Sequence, residues 1–522
     1  MHFGSRMLRA SAAAAFLALA SLAHADSLTI KTEQGKAHGK TINDGKVNAW
    51  LGLPYAAPPV NDLRWKAPQP AAKWPGERDA TKYGAHCAQN HVFDDMVFQD
   101  DSPLGSEDCL YLNVYTPANA TAKSKLPVMF WIHGGGFSGG GSNEPRHNGD
   151  FLPLKGVLLI TINYRLGVFG FLASSDLAKE TSGTAGNYGL MDMIAALRWT
   201  KANIKEFGGD PDNVTIFGES AGSFAVSTLM VAPPAKGLFQ KAIGESGAAL
   251  GTGALTYEPL NVRAAKDDKW VATLNVSSLA DLRALPTATI LAAAKPGVNF
   301  PPNIDGKVVV EPIAETYAIG NQFHVPLLAG WNSDEGSFVA MRGTTLEQYK
   351  GYAASLFKDK APDFLKLYPA DNDAQALRSA IDYGSDAFIA LSTWRWLEAH
   401  RKTGQSPVYR YHFELAALPS KFHPGTYAFH SDDIEYVFGT LDTRPGETVR
   451  PEDRTLSDQM MTYWTNFAKT GDPNGPGVPA WPKYNDASFP LIHLNTTITS
   501  GPDQLRARYE FLEANPLPPA FR

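Results

Sequence analysis

The sequence predicts an α/β fold in which a large, mostly parallel central sheet is flanked by helices. Two continuous apolar runs, a helical pattern and a β-branched run follow one another along the chain; they are Leu126 to His133, Val157 to Tyr164, Met191 to Phe207 and Val214 to Gly218. Apolar runs without alternation are typical of parallel strands that are buried on both faces. Since ligands of such sheets bind beyond the carboxyl ends of the strands, we expect the chemistry there.

The helices expected around the sheet are indicated by side-chain spacing and by composition. Apolar side chains such as Met193 and Leu197 recur at helical spacing, and the Gly-Gly-Asp-Pro sequence of Gly208–Pro211 ends that pattern. The segment from Thr345 to Thr403 is rich in alanine, leucine and lysine, which favours a mostly helical insertion beside the sheet. No repeat or low-complexity linker interrupts the chain after its first 25 residues, so we expect one domain over residues 26–522.

The composition excludes several classes of function. Of the 522 residues, 44% are hydrophobic and 19% are charged, as is typical of globular proteins with a large core. The formal net charge is −6, and the sequence has no long run of lysine or arginine. Nucleic acids and anionic membranes require a basic surface, so neither is an expected partner. The composition therefore favours chemistry on a small molecule.

The first residues have the features of a cleavable signal peptide. Two arginines precede an apolar stretch from Ala10 to Ala23, and a small-x-small sequence ends at Ala25. We expect cleavage there, a mature chain beginning at Asp26 and a secreted or periplasmic protein. The alternative is a buried amino-terminal helix. No later segment reaches the roughly 18 to 20 consecutive apolar residues of a membrane span, so no membrane anchor is expected.

Cys87 and Cys109 are the two cysteines of the chain. In an oxidising compartment, a lone pair close in sequence favours a disulfide over two free thiols. Two thiols alone are an unfavourable metal site. We therefore expect a disulfide, and neither a metal nor a cofactor.

Ser220 lies in a sequence that is typical of a catalytic nucleophile. The segment Gly218–Gly222 has the pattern G-x-S-x-G, and it follows the predicted strand Val214 to Phe217 and precedes a helical run from Ala221 to Met230. Glycines flank the serine because such a turn leaves little room for side chains, and the turn exposes Oγ beyond the sheet. The alternative is a glycine-rich turn whose serine only caps a helix.

A glycine run after the first predicted strand indicates an oxyanion hole. The segment His133–Phe137 contains three consecutive glycines, whose backbone N–H groups can turn toward an anion without obstruction by Cβ atoms. The expected donors are the amides of Gly135 and Gly136, joined by that of Ala221 directly after the serine. The alternative is a flexible loop at the end of a strand, since Gly139–Gly141 follow closely.

Several separated motifs make the sequence similar to type B carboxylesterases, the family that also contains the cholinesterases. In chain order, the motifs are Glu107–Val114, Trp131–Phe137, Phe207–Pro211, Phe217–Gly222, Asn332–Ser337 and His430–Gly439. The resemblance covers nearly the whole chain after residue 25. It implies an α/β-hydrolase fold and one catalytic domain that cleaves carboxylic esters.

The acid and the histidine of the triad are assigned partly by this resemblance. In α/β-hydrolases the acid follows the serine along the chain and lies after a strand, here Val325 to Trp331. Asp334 and Glu335 both satisfy that order, and the family pattern gives the role to Glu335. His430 matches the family motif, whereas His423 lies in a sequence typical of a turn.

The chemistry that a serine needs to cleave an ester assigns roles to these residues. His430 would remove the proton from Ser220, and Glu335 would orient the imidazole. With an ordinary histidine pKa, activity would rise through an ionisation at about pH 6 to 7. Glu219 and Ser246 match positions that support the site in the family. The cysteine pair matches one that closes a loop over the entrance to the family's active-site gorge.

The sequence leaves the substrate and the oligomeric state open. Lipases and amidases use the same triad, and some cholinesterase-like domains are non-catalytic binding modules, although these lack the serine. The loop from Cys87 to Cys109 has no tryptophan, unlike the corresponding loop of cholinesterases; it contains Phe93 and Phe98, with Asp94, Asp95, Asp100 and Asp101. A tryptophan face is the strongest aromatic partner for a cation, so its absence favours neutral esters.

Overall fold

A central sheet of eleven strands organises the described part of the chain. The computed structural model describes residues 28–91, 96–100, 102–251, 256–295, 297–337, 344–420, 425–444 and 446–516. Its strands are β1 (Thr29–Lys31), β2 (Lys36–His38), β3 (Lys40–Ile42), β4 (Val47–Pro54), β5 (Glu77–Asp79), β6 (Tyr111–Pro117), β7 (Leu126–Ile132), β8 (Leu158–Ile162), β9 (Gly209–Glu219), β10 (Lys241–Glu245), β11 (Glu258–Pro259), β12 (Asn303–Ile304), β13 (Leu327–Asn332), β14 (Val408–Phe413), β15 (Pro490–Leu494) and β16 (Thr499–Pro502). The predicted signal peptide, residues 1–25, lies outside the described residues.

The middle of the central sheet is parallel. The strand order is β16-β15-β14-β13-β10-β9-β7-β8-β6-β4-β3. All neighbouring pairs from β15 to β8 run parallel. Antiparallel pairs occur at the two sides, where β6, β4 and β3 continue the sheet beyond β8, and β16 pairs with β15. The predicted α/β fold with a mostly parallel sheet is therefore confirmed.

Fifteen α-helices accompany the strands in the described residues. They are α1 (Gly167–Phe171), α2 (Ser175–Glu180), α3 (Tyr188–Asn203), α4 (Ala221–Leu229), α5 (Leu260–Ala272), α6 (Leu279–Ala284), α7 (Thr287–Ala293), α8 (Ile313–Ala318), α9 (Leu346–Phe357), α10 (Ala361–Leu367), α11 (Asp373–Ser385), α12 (Leu391–Thr403), α13 (Ile434–Phe438), α14 (Pro451–Thr470) and α15 (Arg506–Ala514). A π-helical turn, Asp386–Ala390, joins α11 to α12. Short 3₁₀ helices are Asn61–Leu63, Pro145–His147, Leu152–Lys155, Ile204–Phe207, Pro233–Ala235, Lys358–Lys360 and Leu441–Thr443.

Helices cover both faces of the sheet. Val128 and Phe130 of β7 belong to one buried apolar cluster, which includes side chains of α3 and α4. Met129 and Trp131 belong to a second cluster, which includes side chains of α14. Successive side chains of a strand point to opposite faces, so both faces of β7 are buried and its sequence is continuously apolar.

The segment before the serine differs in detail from its prediction. The glycine-rich sequence Gly208–Pro211 was expected to lie between helix and strand, but β9 begins at Gly209 and has eleven residues. Gly209 pairs with Leu126, and the register of β7 shifts between Leu126 and Val128. Pairing with the neighbouring strand thus extends β9 through residues with low strand propensity.

The predicted disulfide is present. The Sγ atoms of Cys87 and Cys109 are bonded, and the Cα atoms lie 4.9 Å apart. The segment from Thr345 to Thr403 is helical as expected, through α9 to α12. Among the described residues, no helix combines the length and the apolar character that crossing a lipid bilayer requires.

Candidate active site

Ser220 occupies a sharp turn between β9 and α4. Its φ angle is 53°, a left-handed conformation that is rare for a residue with a side chain. A Cβ atom on Gly218 would lie 2.5 Å from the carbonyl oxygen of Ile132, and one on Gly222 would lie 2.0 Å from the same oxygen. The flanking glycines are therefore required by the close approach of β7. The turn places Ser220 at the carboxyl end of the sheet, as a nucleophile needs.

The side chains of Ser220, His430 and Glu335 form a continuous hydrogen-bonded chain. Nε2 of His430 lies 2.8 Å from Oγ of Ser220, and its Nδ1 lies 2.5 Å from Oε2 of Glu335. An ionised carboxylate only accepts hydrogen bonds, so Nδ1 donates to Glu335 and Nε2 of the neutral ring accepts from the serine hydroxyl. In such an arrangement an imidazole can remove the proton of a serine hydroxyl.

Glu335, rather than Asp334, faces the imidazole. The side chain of Glu335 is fully buried, and its other oxygen accepts a hydrogen bond from the backbone N–H of Asn332 at 2.8 Å. The carboxylate of Asp334 is bound by Arg378 and accepts the backbone N–H of Ala428 at 3.0 Å. The adjacent acids therefore point to different partners, and one reaches His430. The other candidate histidine, His423, lies outside the described residues.

The glycine run that contains the predicted oxyanion-hole residues reaches the serine. Gly135 and Gly136 have φ angles of 97° and 62°. A Cβ atom on Gly134 would lie 3.2 Å from Cβ of Ser220, so the glycine run touches this serine. The amides of Gly135, Gly136 and Ala221 donate no hydrogen bond to any other described residue. Such amides are available to an oxyanion that forms at this place.

Glu219 contacts His430 directly. Its Oε1 lies 3.4 Å from Nε2 of His430, and the side chain is buried. Burial, with the charges of Asp433 and Glu335, raises the pKa of Glu219 to about 8. The charge of His430 acts in the opposite direction and favours the ionised carboxylate.

The surrounding carboxylates shift the ionisation of His430 upward. Burial disfavours the imidazolium, but Glu219, Glu335 and Asp433 outweigh it and raise the pKa of His430 to about 9. A protonated Glu219 would stabilise the imidazolium less. The carboxylates therefore shift the pKa of His430 above the ordinary histidine value of about 6.5.

Ser246 does not join this hydrogen-bonded chain. It directly follows β10, its backbone N–H donates to the carbonyl oxygen of Gly330 at 2.9 Å, and its buried Oγ has no partner among the described residues. The preceding residue, Glu245, does bond to Ser220, because its carbonyl oxygen accepts the backbone N–H of Ser220 at 2.9 Å. Ser246 thus lies one strand away from the serine that it was expected to support.

Two residues to which the sequence analysis gave no role also lie at the site. Asp433 accepts the hydroxyl of Tyr411 at 2.8 Å, and its charge acts on His430. The ring of Phe388 meets that of His430 edge-to-face with centroids 5.4 Å apart. Asp433 lies within the histidine motif and could have been found there. Phe388 comes from the π-helical turn of the insertion, and no sequence pattern marked it.

The loop closed by the disulfide approaches the glycine run. A Cβ atom on Gly135 would lie 3.0 Å from Cε of Met96, so an apolar side chain borders the predicted hole. Phe98 stacks on His86 with ring centroids 4.0 Å apart, and Asp100 binds Nδ1 of the same histidine at 2.7 Å. Phe93, Asp94, Asp95 and Asp101 lie outside the described residues.

A cavity opens beside the glycine run. Its volume is about 240 Å³, and Ser138, Leu166, Val168, Leu291 and Phe300 contribute to its lining. Ser138 follows Gly136 by two residues, so the cavity begins next to the predicted oxyanion hole. This volume is of the order of a small organic substituent.

Comparison with known proteins identifies the relatives of this chain. The model of the carboxylesterase family matches residues 26–512. The para-nitrobenzyl esterase of Bacillus subtilis is 37% identical over 492 residues, which cover 90% of this chain and 95% of that protein. The fumonisin B1 esterase of Sphingopyxis macrogoltabida is 34% identical, covering 87% and 84%. Carboxylesterase 1D of Rattus norvegicus is also 34% identical, covering 87% of each.

Solved structures agree with the sequence relatives. A structure of PNB esterase superimposes with a TM-score of 0.79 at 34% identity, covering 92% of this chain and 98% of that one. A thermophilic PNB esterase gives the same TM-score and identity, covering 93% and 99%. The likeness therefore extends over the whole fold described above.

Proposed function

The chain belongs to the carboxylesterase family and is a hydrolase of carboxylic ester bonds, and we propose that it works through an acyl-enzyme on Ser220. The observation that carries this proposal is the chain of hydrogen bonds from Ser220 through His430 to the buried Glu335. A serine that is aligned with a base, which is in turn oriented by an acid, is the arrangement that activates a hydroxyl nucleophile.

In the first half of the reaction, Oγ of Ser220 attacks the carbonyl carbon of the ester while Nε2 of His430 takes the serine proton. The amides of Gly135, Gly136 and Ala221 stabilise the oxyanion of the tetrahedral intermediate; losing one such donor typically costs about 3 kcal/mol. His430 then gives its proton to the alcohol oxygen, the C–O bond breaks and the alcohol leaves an acyl group on Ser220.

In the second half, water attacks the acyl carbon and gives a proton to His430. The tetrahedral intermediate collapses, the proton returns to Oγ of Ser220, and the carboxylic acid leaves. Glu335 keeps its negative charge throughout and stabilises the imidazolium each time it forms. These steps use side chains and backbone amides of this chain alone.

Neutral esters are the proposed substrates. The thioether of Met96 borders the glycine run, while Phe98 and Asp100 of the same loop are engaged with His86. A cation entering here would lose hydration without a free aromatic face or carboxylate from these residues to compensate. The cavity beside the glycine run is lined by apolar side chains such as Leu166 and Phe300 and by uncharged polar ones such as Gln89, which a neutral ester can contact.

Export from the cytoplasm is also part of the proposal. The family match begins at residue 26, the expected first residue after signal cleavage, and the disulfide is favoured by an oxidising compartment. One catalytic domain then occupies the mature chain from Asp26. Amino-terminal sequencing of the exported protein tests this, and we expect Asp26 as its first residue.

A panel of substrates tests the activity itself. Neutral esters of graded acyl and alcohol size should be cleaved, and Ser220→Ala should lose nearly all activity on each of them. The anilide of the best acyl group and a long-chain triglyceride belong to the same panel, because amidases and lipases share the triad. If the anilide or the triglyceride is cleaved more efficiently than every simple ester, the proposed preference is wrong.

A further inference from the structure

Two histidines and a glutamate lie together at the carboxyl ends of β14 and β15, apart from the catalytic serine. The register of this parallel pair places His412 directly beside His493. Glu414 follows His412 by two residues, and its N–H extends the ladder by donating to the carbonyl oxygen of Leu494 at 2.8 Å. Residues two apart on an extended chain share a face of the sheet. Three side chains of metal-binding type therefore emerge from one face at neighbouring positions.

The polar atoms of these side chains converge. Nδ1 of His412 lies 2.8 Å from Oε1 of Glu414, and Nδ1 of His493 lies 2.6 Å from the same oxygen. One ligand atom from each residue lies within 4.8 Å of the other two. In a tetrahedral zinc site with bonds of about 2.0 to 2.1 Å, ligand atoms stand about 3.3 Å apart. Small outward movements of roughly half an ångström therefore make room for an ion between them.

The donor set selects the kind of ion. Two imidazole nitrogens and one carboxylate oxygen are ligands that Zn²⁺ takes, and this set leaves a fourth position for water. Ca²⁺ and Mg²⁺ prefer oxygen ligands throughout, so the two nitrogens disfavour them. With neutral imidazoles the three side chains carry one negative charge, which attracts a divalent cation.

The surroundings hold the three side chains in place and leave them accessible. Arg410, two residues before His412, is bound by Asp503 and lies over the ring of Trp331 at 4.4 Å, so its cation is already paired. The ring of Trp331 also meets that of His412 edge-to-face at 6.2 Å. The side chains of His412, Glu414 and His493 are 10%, 27% and 26% exposed, so an ion from solvent can reach them.

We propose that His412, Glu414 and His493 form a zinc site that ties β14 to β15. The bound ion stabilises this side of the sheet, where β15 carries the edge strand β16. It is separate from catalysis, because Ser220 follows β9, and β10 and β13 lie between β9 and β14. No metal was expected from the sequence, because each histidine lies on a different strand and only the register of β14 with β15 brings them together.

Calorimetric titration of the untagged, chelator-treated mature protein with zinc chloride tests the proposal. We expect one Zn²⁺ per chain and a rise of about 3 °C in the thermal midpoint at a hundredfold excess over Kd. His493→Ala should weaken zinc binding at least tenfold. It should keep its hydrolysis of para-nitrophenyl acetate within about twofold of the wild type, which would show that the variant is folded and that the site is not catalytic.

His38→Ala is the matched control, because Nδ1 of His38 also lies near a carboxylate oxygen, that of Glu77, at 3.7 Å. In the described part of the chain, that pair belongs to no three-residue group of metal-binding type. The control should bind zinc as the wild type does. As a second measurement, bound Co²⁺ should give the visible absorption of a tetrahedral site, and Glu414→Gln should lose it. Native zinc affinity in His493→Ala, or wild-type binding weaker than about 100 µM, would overturn the proposal.

Discussion

Oε1 of Glu219 lies 3.4 Å from Nε2 of His430, the nitrogen that accepts the hydroxyl of Ser220. The base of the proposed triad is therefore held between two carboxyl groups, Glu335 at Nδ1 and Glu219 at Nε2. Both favour the imidazolium, which forms when His430 takes the serine proton, over the neutral ring.

The pH profile follows from this relationship. The pKa of His430 is raised, and only its neutral form accepts the proton of Ser220, so kcat/KM should rise with pH through an ionisation above 6.5. An ordinary histidine would give about pH 6 to 7, so an ionisation clearly above pH 7 is the expected effect of these charges. Glu219→Gln removes one of the charges and should shift the ionisation downward by about one pH unit. The measurement is kcat/KM for a neutral ester between pH 5 and about pH 10.

Glu510→Gln is the matched control for the pH experiment. Glu510 is an exposed carboxylate that contacts Arg506, far from His430 in the chain, and the substitution should leave the profile unchanged. An identical midpoint in wild type and Glu219→Gln would show that Glu219 does not act on the base.

The choice between the two neighbouring acids has a direct test. Glu335→Gln replaces the acceptor of the Nδ1 proton, which favours the wrong tautomer of His430, and kcat should fall by about 10⁴. Asp334→Asn changes a side chain that binds Arg378 and the N–H of Ala428, and it should keep kcat within about tenfold. The measurement is kcat of the two variants and the wild type, from steady-state kinetics on a neutral ester. The reverse order of effects would transfer the role to Asp334.

Much of this site could be predicted from residues that lie close together in the sequence. The strand, the glycines and the helix around Ser220 are contiguous, so the sequence alone predicted a nucleophile there. The flanking glycines are explained by close contacts with Ile132. The sequence narrowed the acid of the triad to Asp334 and Glu335. The choice of Glu335 depended on the family resemblance, because the folded turn sets the directions of two adjacent side chains.

Other features depend on contacts distant in sequence. Phe388 reaches His430 from the helical insertion, and the raised pKa of His430 needs the positions of three carboxyl groups. The start of β9 at Gly209 depends on pairing with Leu126 rather than on the propensity of its own residues. None of these is a local property of the chain.

The disulfide should contribute to stability. In the chain-entropy account, closing the loop between Cys87 and Cys109, which are 22 residues apart, stabilises the fold by about 3 kcal/mol. Replacing both cysteines by alanine should lower the free energy of unfolding by about that amount, as measured by reversible urea denaturation. Treating the wild type with a strong reductant should lower its free energy of unfolding by a similar amount, and this serves as the comparison. A loss below about 0.5 kcal/mol would contradict the assignment of a stabilising role.

Substrate charge is tested with two esters of nearly the same shape. Acetylcholine and 3,3-dimethylbutyl acetate differ in one positive charge, and the neutral ester should have the higher kcat/KM. Phe98 and Asp100 are engaged with His86, so they offer little to a cation. The comparison is made at two salt concentrations, since long-range attraction is screened by salt. If the choline ester is preferred by more than about tenfold, roughly 1.4 kcal/mol of cation recognition exists and a cholinesterase-like function must be reconsidered.

The central claim is that Ser220 is the nucleophile, and covalent labelling with a fluorophosphonate tests it most directly. Ser246 supplies the matched control, because it also follows a strand with a positive φ, of 57°, but its buried Oγ has no hydrogen-bond partner among the described residues. Peptide mapping should find one adduct, on the peptide that contains Ser220; Ser220→Ala should lose the label and nearly all activity, and Ser246→Ala should keep the label. An adduct on another residue, or activity of Ser220→Ala within about tenfold of the wild type, would contradict the account.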